Sequence, residues 1–334
     1  MLITLIFLLV ALSAYALLGG ADFGGGILEA TLRRHPHLQE KIQETLAPVW
    51  EANHVWLIAV IVILFVGFPA VYAEMMTMLF VPLLLALLGI ILRGAFFTFR
   101  KYDPEPEIRR GFYTLLFRAS SIFTPLMYGL IIASLLSPFP VILESDVTEF
   151  SDLFVAPWFT WLGGASAVFV FSLFGYVAAV FLFGEVQDKA DRAVIGQRVM
   201  QFFAVTFLSG GVVLAMGAAT GTVSWQQALN PIQLMAQAIA TMGIIWMWCS
   251  LKQERIAAMR VTAGVQMMFI LGGWFSTQYP VFMRFEDGRE LTIWNCHAPD
   301  VTLYWLNLGL IVVLALVLPL LGYLYHVFRA ENPI

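Results

Sequence analysis

The residues best suited to chemistry lie together in the stretch 47–58, which reads Ala-Pro-Val-Trp-Glu-Ala-Asn-His-Val-Trp-Leu-Ile. It sets Pro48, Trp50, Glu51, Asn53, His54 and Trp56 at the start of a long apolar run. A carboxylate at the mouth of a membrane helix is a natural proton carrier, because an ionisable group there is costly without a function. A structural account of Glu51 stands beside that one. Pro48 suits the first position of a helix, and an acid in the first turn is favoured by the helix dipole. His54 lies one turn from Glu51 on the same face, where a lone histidine is more often a hydrogen-bonded core residue than a ligand. Glu51-x-x-His54 also has the spacing of a di-iron carboxylate half-site. That site needs a second copy, and no other Glu has a His three residues on. The zinc pattern His-Glu-x-x-His is absent.

These residues are carried by a chain made for lipid. Of its 334 residues, 60% are apolar and 12% charged, about half the charge of a soluble domain. The net charge is −4, and no basic arm or face points to nucleic acid. Two cysteines exclude a disulfide scaffold. No Lys or Arg precedes the first apolar run, so it is read as a retained helix rather than a signal peptide.

Nine runs reach the roughly 20 residues that a bilayer requires: 2–18, 49–71, 75–99, 112–136, 157–183, 199–218, 231–251, 261–279 and 303–328. Lipid satisfies no backbone group, so all are expected as helices. Pro69, Pro82, Pro125 and Pro319 fall within them and are expected to kink them. The expected class is therefore an all-α integral membrane protein of nine transmembrane helices, with two four-helix bundles and one peripheral helix. The bundles take 1–137 and 157–280, outer loops take 138–156 and 281–302, and 303–334 forms the ninth helix and tail.

Basic residues set the orientation. Arg33, Arg34, Lys41, Arg100, Lys101, Arg109, Arg110, Lys189, Arg192, Arg198, Lys252, Arg255, Arg260 and Arg329 fall on one side, against Arg284 and Arg289 on the other. The N-terminus is thus expected outside and the C-terminus inside. On the inner side, 36–46 carries Leu38, Ile42 and Leu46 at helical spacing and is expected to lie on the membrane surface. Asp287-Gly288 marks a turn in the last outer loop.

Four ionisable residues then gather near the inner face: Asp22 after the first span, Glu51 at the start of the second, Arg93 two turns before the end of the third, and Arg118 two turns into the fourth. Two acids and two bases at one depth can neutralise one another within a bundle. The arginines could equally snorkel to the headgroups. Asp22 could instead brace the glycine run 24–26, where helices approach closely. Spans five to eight carry no charge in their middles. His35, His37, His54, His297 and His326 offer no facing pair of haem ligands at membrane depth. Cys296-His297 falls short of the four ligands that a zinc site usually needs.

Several of these segments together resemble subunit II of the cytochrome bd quinol oxidases. The resemblance rests on Asp22-Phe23-Gly24-Gly25-Gly26, on the Pro48–Leu57 stretch Pro-Val-Trp-Glu-Ala-Asn-His-Val-Trp-Leu, on Arg93 and Arg100, and on Leu291-Thr292-Ile293-Trp294. Departures occur at Gly19-Gly20, where Asp-Gly is frequent, at Glu51, where many members have Asp, and at Asn295-Cys296-His297, where many have Asp-Ala-Ser. The resemblance implies a haem-free subunit in a prokaryotic cytoplasmic membrane. Its partner, a haem-bearing subunit I, would hold haem b and haem d, or b-type haems alone, and oxidise quinol while reducing oxygen to water. It also admits a small single-helix accessory subunit and a bound quinone beside the surrounding lipid. It further implies that the acid at Glu51 helps carry protons from the inner side to the oxygen site. Asp22 and His54 are the other candidate proton carriers, with Trp50, Asn53, Arg93 and Arg118 as supporting residues. A secondary transporter and a purely structural membrane subunit are the competing readings. Transporters place charge near the midplane, whereas the charges here lie at the inner edge.

Overall fold

The computed structural model describes residues 1–46, 50–103, 106–141, 149–222 and 230–331, without the side chains of 46, 50–52, 106–110 and 324–331. Within them the chain is helical apart from one hairpin and its connections. Eight helices are long and apolar enough to cross a membrane, and a bent pair brings the number to nine.

The first helix, α1 (Leu2–Thr31), runs well past residue 18, where the first span was expected to end. Its 30 residues reach about 45 Å, so it extends beyond the roughly 30 Å hydrocarbon core. Asp22 is therefore inside the helix, not after it. Gly19, Gly20 and the run 24–26 lower helix propensity, but here they serve packing. A Cβ on Gly24 would stand 2.0 Å from the Phe174 carbonyl oxygen, and one on Gly26 2.2 Å from Ser121 Oγ. Small residues let membrane helices approach this closely. The helix is not uniform: Tyr15–Gly19 forms a π-turn between two α segments.

Next come the loop helix α2 (Pro36–Leu46) and α3 (Trp50–Gly67). Leu38 and Ile42 of α2 are buried in the protein core, so its apolar face packs on the protein instead of on lipid. The expected second span is broken. After Gly67 the chain turns by 115° into α4 (Pro69–Met78). Proline disfavours helical geometry in the residue before it, and Phe68 takes φ −135° and ψ 62°. The break is held in place. Ala298 N donates to the Gly67 carbonyl at 2.8 Å, and the buried Phe68 ring packs on Phe282.

The third span, α5 (Phe80–Tyr102), begins later than expected, and Pro82 falls in its first turn, where it breaks no hydrogen bond. Pro125 lies within α6 (Pro106–Ser134) and Pro319 within the last helix. After the short α7 (Phe150–Phe154) comes α8 (Trp161–Phe183), the most buried of the spans, which packs against α1, α6 and α9 (Lys189–Ala219). The helices α10 (Pro231–Lys252) and α11 (Ile256–Gln278) pair with each other. Strands β1 (Val281–Arg284) and β2 (Glu290–Thr292) form an antiparallel hairpin whose turn includes Gly288 at φ +84°. This agrees with the turn read from Asp287-Gly288. The last helix, α12 (Asp300–Glu331), is almost wholly exposed along its apolar length and touches α1 and α3.

Candidate functional site: a buried ladder of charge along the first helix

Tyr15, Asp22 and Glu29 are spaced seven residues apart on α1, and Arg93 and Arg100 seven apart on α5. Seven residues bring an α-helix back to nearly the same face, about 10 Å further along. The two helices therefore meet rung against rung. Arg93 Nη2 donates to Asp22 Oδ1 at 2.6 Å and to the Asp22 carbonyl at 3.0 Å. One step closer to the helix end, Arg100 Nη1 donates to both Glu29 carboxylate oxygens at 2.8 and 3.1 Å. Asp22, Glu29 and Arg93 are at most 1% exposed. Aromatic faces complete the shell, with the Arg93 guanidinium 4.9 Å from the Phe23 ring centre and that of Arg100 4.3 Å from Phe117. Such contacts stabilise a desolvated cation.

Arg118 of α6 joins the outer rung. Its Nε donates to Glu29 Oε1 at 3.1 Å and its Nη2 to Gln39 Oε1 at 2.8 Å. Gln39 in turn donates to the Leu32 carbonyl at 2.8 Å, so the loop helix α2 closes over the cluster. Among the described side chains, three guanidiniums thus face two carboxylates.

The sequence placed Asp22, Glu51, Arg93 and Arg118 in one charged cluster; the structure pairs Arg93 with Asp22 but gives Arg118 another acid, and the Glu51 side chain lies outside the described residues. Arg93 and Arg118 do not snorkel free. The acid paired with Arg118 is Glu29, a residue the sequence reading passed over because it ended the first span at residue 18. Arg100, taken as a loop cation, is buried as Glu29's partner. The seven-residue spacing in both helices was the available signal.

The 47–58 stretch reaches this ladder through α3. Asn53 is buried, and its Nδ2 donates to the Leu18 carbonyl at 3.3 Å. Leu18 belongs to the π-turn. His54 lies within electrostatic reach of Asp22. The side chains of Trp50 and Glu51 lie outside the described residues.

Beyond Asp22, Tyr15 and Tyr128 of α6 bring their hydroxyls to 2.5 Å. In the second half, Tyr176 donates to Gln266 at 2.5 Å, and Gln266 donates to the Ala240 carbonyl at 2.9 Å. These bonds join α8, α10 and α11 without any charge.

Among the described residues, no three His, Cys, Asp or Glu side chains gather to hold a metal. His37 lies 2.8 Å from Asp191, and His297 contacts the Ala298 carbonyl in the loop before the last helix. Cys296 is buried and its thiol donates to the Thr292 carbonyl.

Comparison with known proteins agrees with this architecture. Residues 1–328 match the family described as "Cytochrome bd terminal oxidase subunit II". The "Cytochrome bd ubiquinol oxidase subunit 2" of Bacillus subtilis (strain 168) is 23% identical over 329 residues, covering 97% of this chain and 94% of the relative. The "Cytochrome bd-I ubiquinol oxidase subunit 2" of Escherichia coli (strain K12) is 30% identical over 131 residues, 39% of this chain and 34% of the relative. The structure of bd oxidase from Geobacillus thermodenitrificans superposes with a TM-score of 0.79 at 20% identity, covering 99% of both chains, which establishes the shared fold. A subunit of this family works beside a subunit I in a haem-containing terminal quinol oxidase, an oxidoreductase of bacterial respiratory membranes. The chain belongs to the cytochrome bd terminal oxidase subunit II family.

Proposed function

We propose that this chain is the haem-free half of its oxidase and that it leads protons from the cytoplasm toward the oxygen-reducing site in subunit I. Oxygen reduction consumes protons, and haem b with haem d, or b-type haems alone, would reside in that partner. The single observation that carries the proton reading is Asp22. Its Oδ1 is taken by Arg93, while its Oδ2 is buried and receives no hydrogen bond from any described residue. A buried carboxylate oxygen needs a donor, so Oδ2 is where a water or a transferable proton attaches. His54 lies within electrostatic reach of Asp22, and Glu51 precedes His54 by one turn on α3.

The rest of the reading follows the same lines. Protons would enter on the inner side, with the N-terminus outside and the C-terminus inside, as the basic residues indicate. Residues 1-137 and 157-280 would form the two four-helix units, with α12 at the periphery. The apolar outward faces would meet subunit I, lipid and any single-helix accessory subunit. A quinone held by this chain would lie on those faces as well.

The test is oxygen uptake per haem across pH for wild type, Glu51→Gln and Glu51→Asp. Glu51→Gln keeps size and hydrogen bonding but carries no proton, so it should assemble normally and turn over slowly. Glu51→Asp should keep most activity. Equal turnover in Glu51→Gln and wild type would reduce Glu51 to a helix-start residue.

A further inference from the structure

The Tyr15–Tyr128 pair is a polar feature of the first half that the ion pairs do not explain. It rests on three observations. First, Tyr15 continues the seven-residue series of Asp22 and Glu29, about 10 Å further into the membrane than Asp22, and it stays within electrostatic reach of Asp22 and Arg93. Second, the π-turn begins at Tyr15. Its wider winding shifts the register by about one residue. A continuous α-helix would hold Tyr15 in line with Asp22, facing α5, whereas the π-turn leaves it against α6. Gly19 makes this possible, since a Cβ there would stand 2.8 Å from the Tyr15 ring. Third, the two hydroxyls meet at 2.5 Å, and Phe23, the neighbour of Asp22, packs edge-on against the Tyr128 ring.

We propose that this hydroxyl pair is the proton station beyond Asp22, moving protons from α1 across to α6. The inference rests on the proton-path reading above and extends it. Each phenol oxygen takes an incoming proton on a lone pair and releases its own O–H proton to the next oxygen. One O–H bond forms as one breaks, no electrons move between centres, and rotation of the hydroxyls resets the pair. The link from Asp22 Oδ2, which receives no hydrogen bond from any described residue, to the first hydroxyl would be made by water. The series Glu29, Asp22, Tyr15 then changes from ion pairs at the helix end to neutral carriers at depth, where a charge would be most costly.

Tyr15→Phe and Tyr128→Phe keep the rings and their packing and remove one oxygen each. The complex is purified whole, and oxygen uptake per haem is measured across pH in H₂O and D₂O. A positioned proton carrier contributes about 10²- to 10⁴-fold. With water partly replacing a lost hydroxyl, turnover is expected to fall about tenfold or more, with a larger solvent isotope effect and an altered pH profile. Normalising to haem makes poor assembly lower the amount of enzyme rather than its rate. Wild-type turnover per haem in both variants would overturn the proposal. A slower rate with unchanged pH profile and isotope effect would also overturn it, leaving a hydrogen-bonded clamp. Asp22→Asn and Glu51→Gln separate the two levels. If they slow turnover while the tyrosine variants do not, the path stands and the tyrosine station fails. If all four are normal, the path itself fails.

Discussion

Removing the Arg93 guanidinium tests whether the ladder is held by charge. Arg93→Leu deletes the 2.6 Å bond to Asp22 Oδ1, the 3.0 Å bond to its carbonyl, and the contacts over Phe23 and Phe117. Asp22 is 1% exposed, and its Oδ2 already has no donor among the described residues. The whole carboxylate would then be buried without a partner. Breaking a buried pair on one side costs about 3–5 kcal/mol, a shift of roughly a hundred- to several-thousand-fold in the ratio of folded to unfolded chain. Arg93→Lys should fall between Leu and wild type, because one ammonium cannot reproduce the guanidinium's geometry. Adding Asp22→Asn to Arg93→Leu removes the stranded charge and should recover about 2 kcal/mol, within the range for directly contacting residues. The assay is yield and detergent- or heat-induced unfolding of the purified oxidase, followed by haem retention. Wild-type stability in Arg93→Leu, or strict additivity in the double variant, would refute the pairing argument.

Three further outcomes follow from the same geometry. Glu29→Leu removes the carboxylate shared by Arg100 and Arg118 and should destabilise the complex by about 3–5 kcal/mol, while Glu29→Gln, which keeps acceptors for Arg100 and Arg118, should cost less in the same unfolding assay. Gly24→Ala drives a methyl into the Phe174 carbonyl and should cost about 1–3 kcal/mol, whereas Gly111→Ala, whose Cβ meets nothing within 4 Å, should be neutral or slightly stabilising. Burial pushes the Cys296 thiol up to about 11. The folded state therefore holds that proton more tightly than the unfolded chain, so the stabilising contribution is complete below the ordinary thiol value and is lost as pH rises toward 11. Mass spectrometry after alkylation near neutral pH should find Cys296 slow in the native complex and fast after denaturation; equal rates would contradict it.

The sequence by itself determined the solvent, the helical class and the neighbourhood of the charges. Apolar runs of bilayer length leave no alternative to helices, because lipid satisfies no backbone group. Asp22, Glu51, Arg93 and Arg118 were placed in one cluster because charges facing lipid are costly. Asp287-Gly288 was legible as a turn because glycine readily takes the positive φ found at Gly288. The end of α1 was not legible, and at α3 the sequence marked a kink at Pro69 but not a break of the span. Around Asp22 the glycines lower local helix propensity, yet close packing on Phe174 and Ser121 carries the helix on to Thr31. At Phe68 the hydropathy runs on past Pro69, yet Phe282 of the hairpin and Ala298 stabilise a full 115° break. Hydropathy and propensity are properties of neighbours along the chain. Which arginine meets which acid, and that Tyr15 turns from α5 to Tyr128, depends on how helices distant in sequence fit together, and the tertiary structure alone decides it.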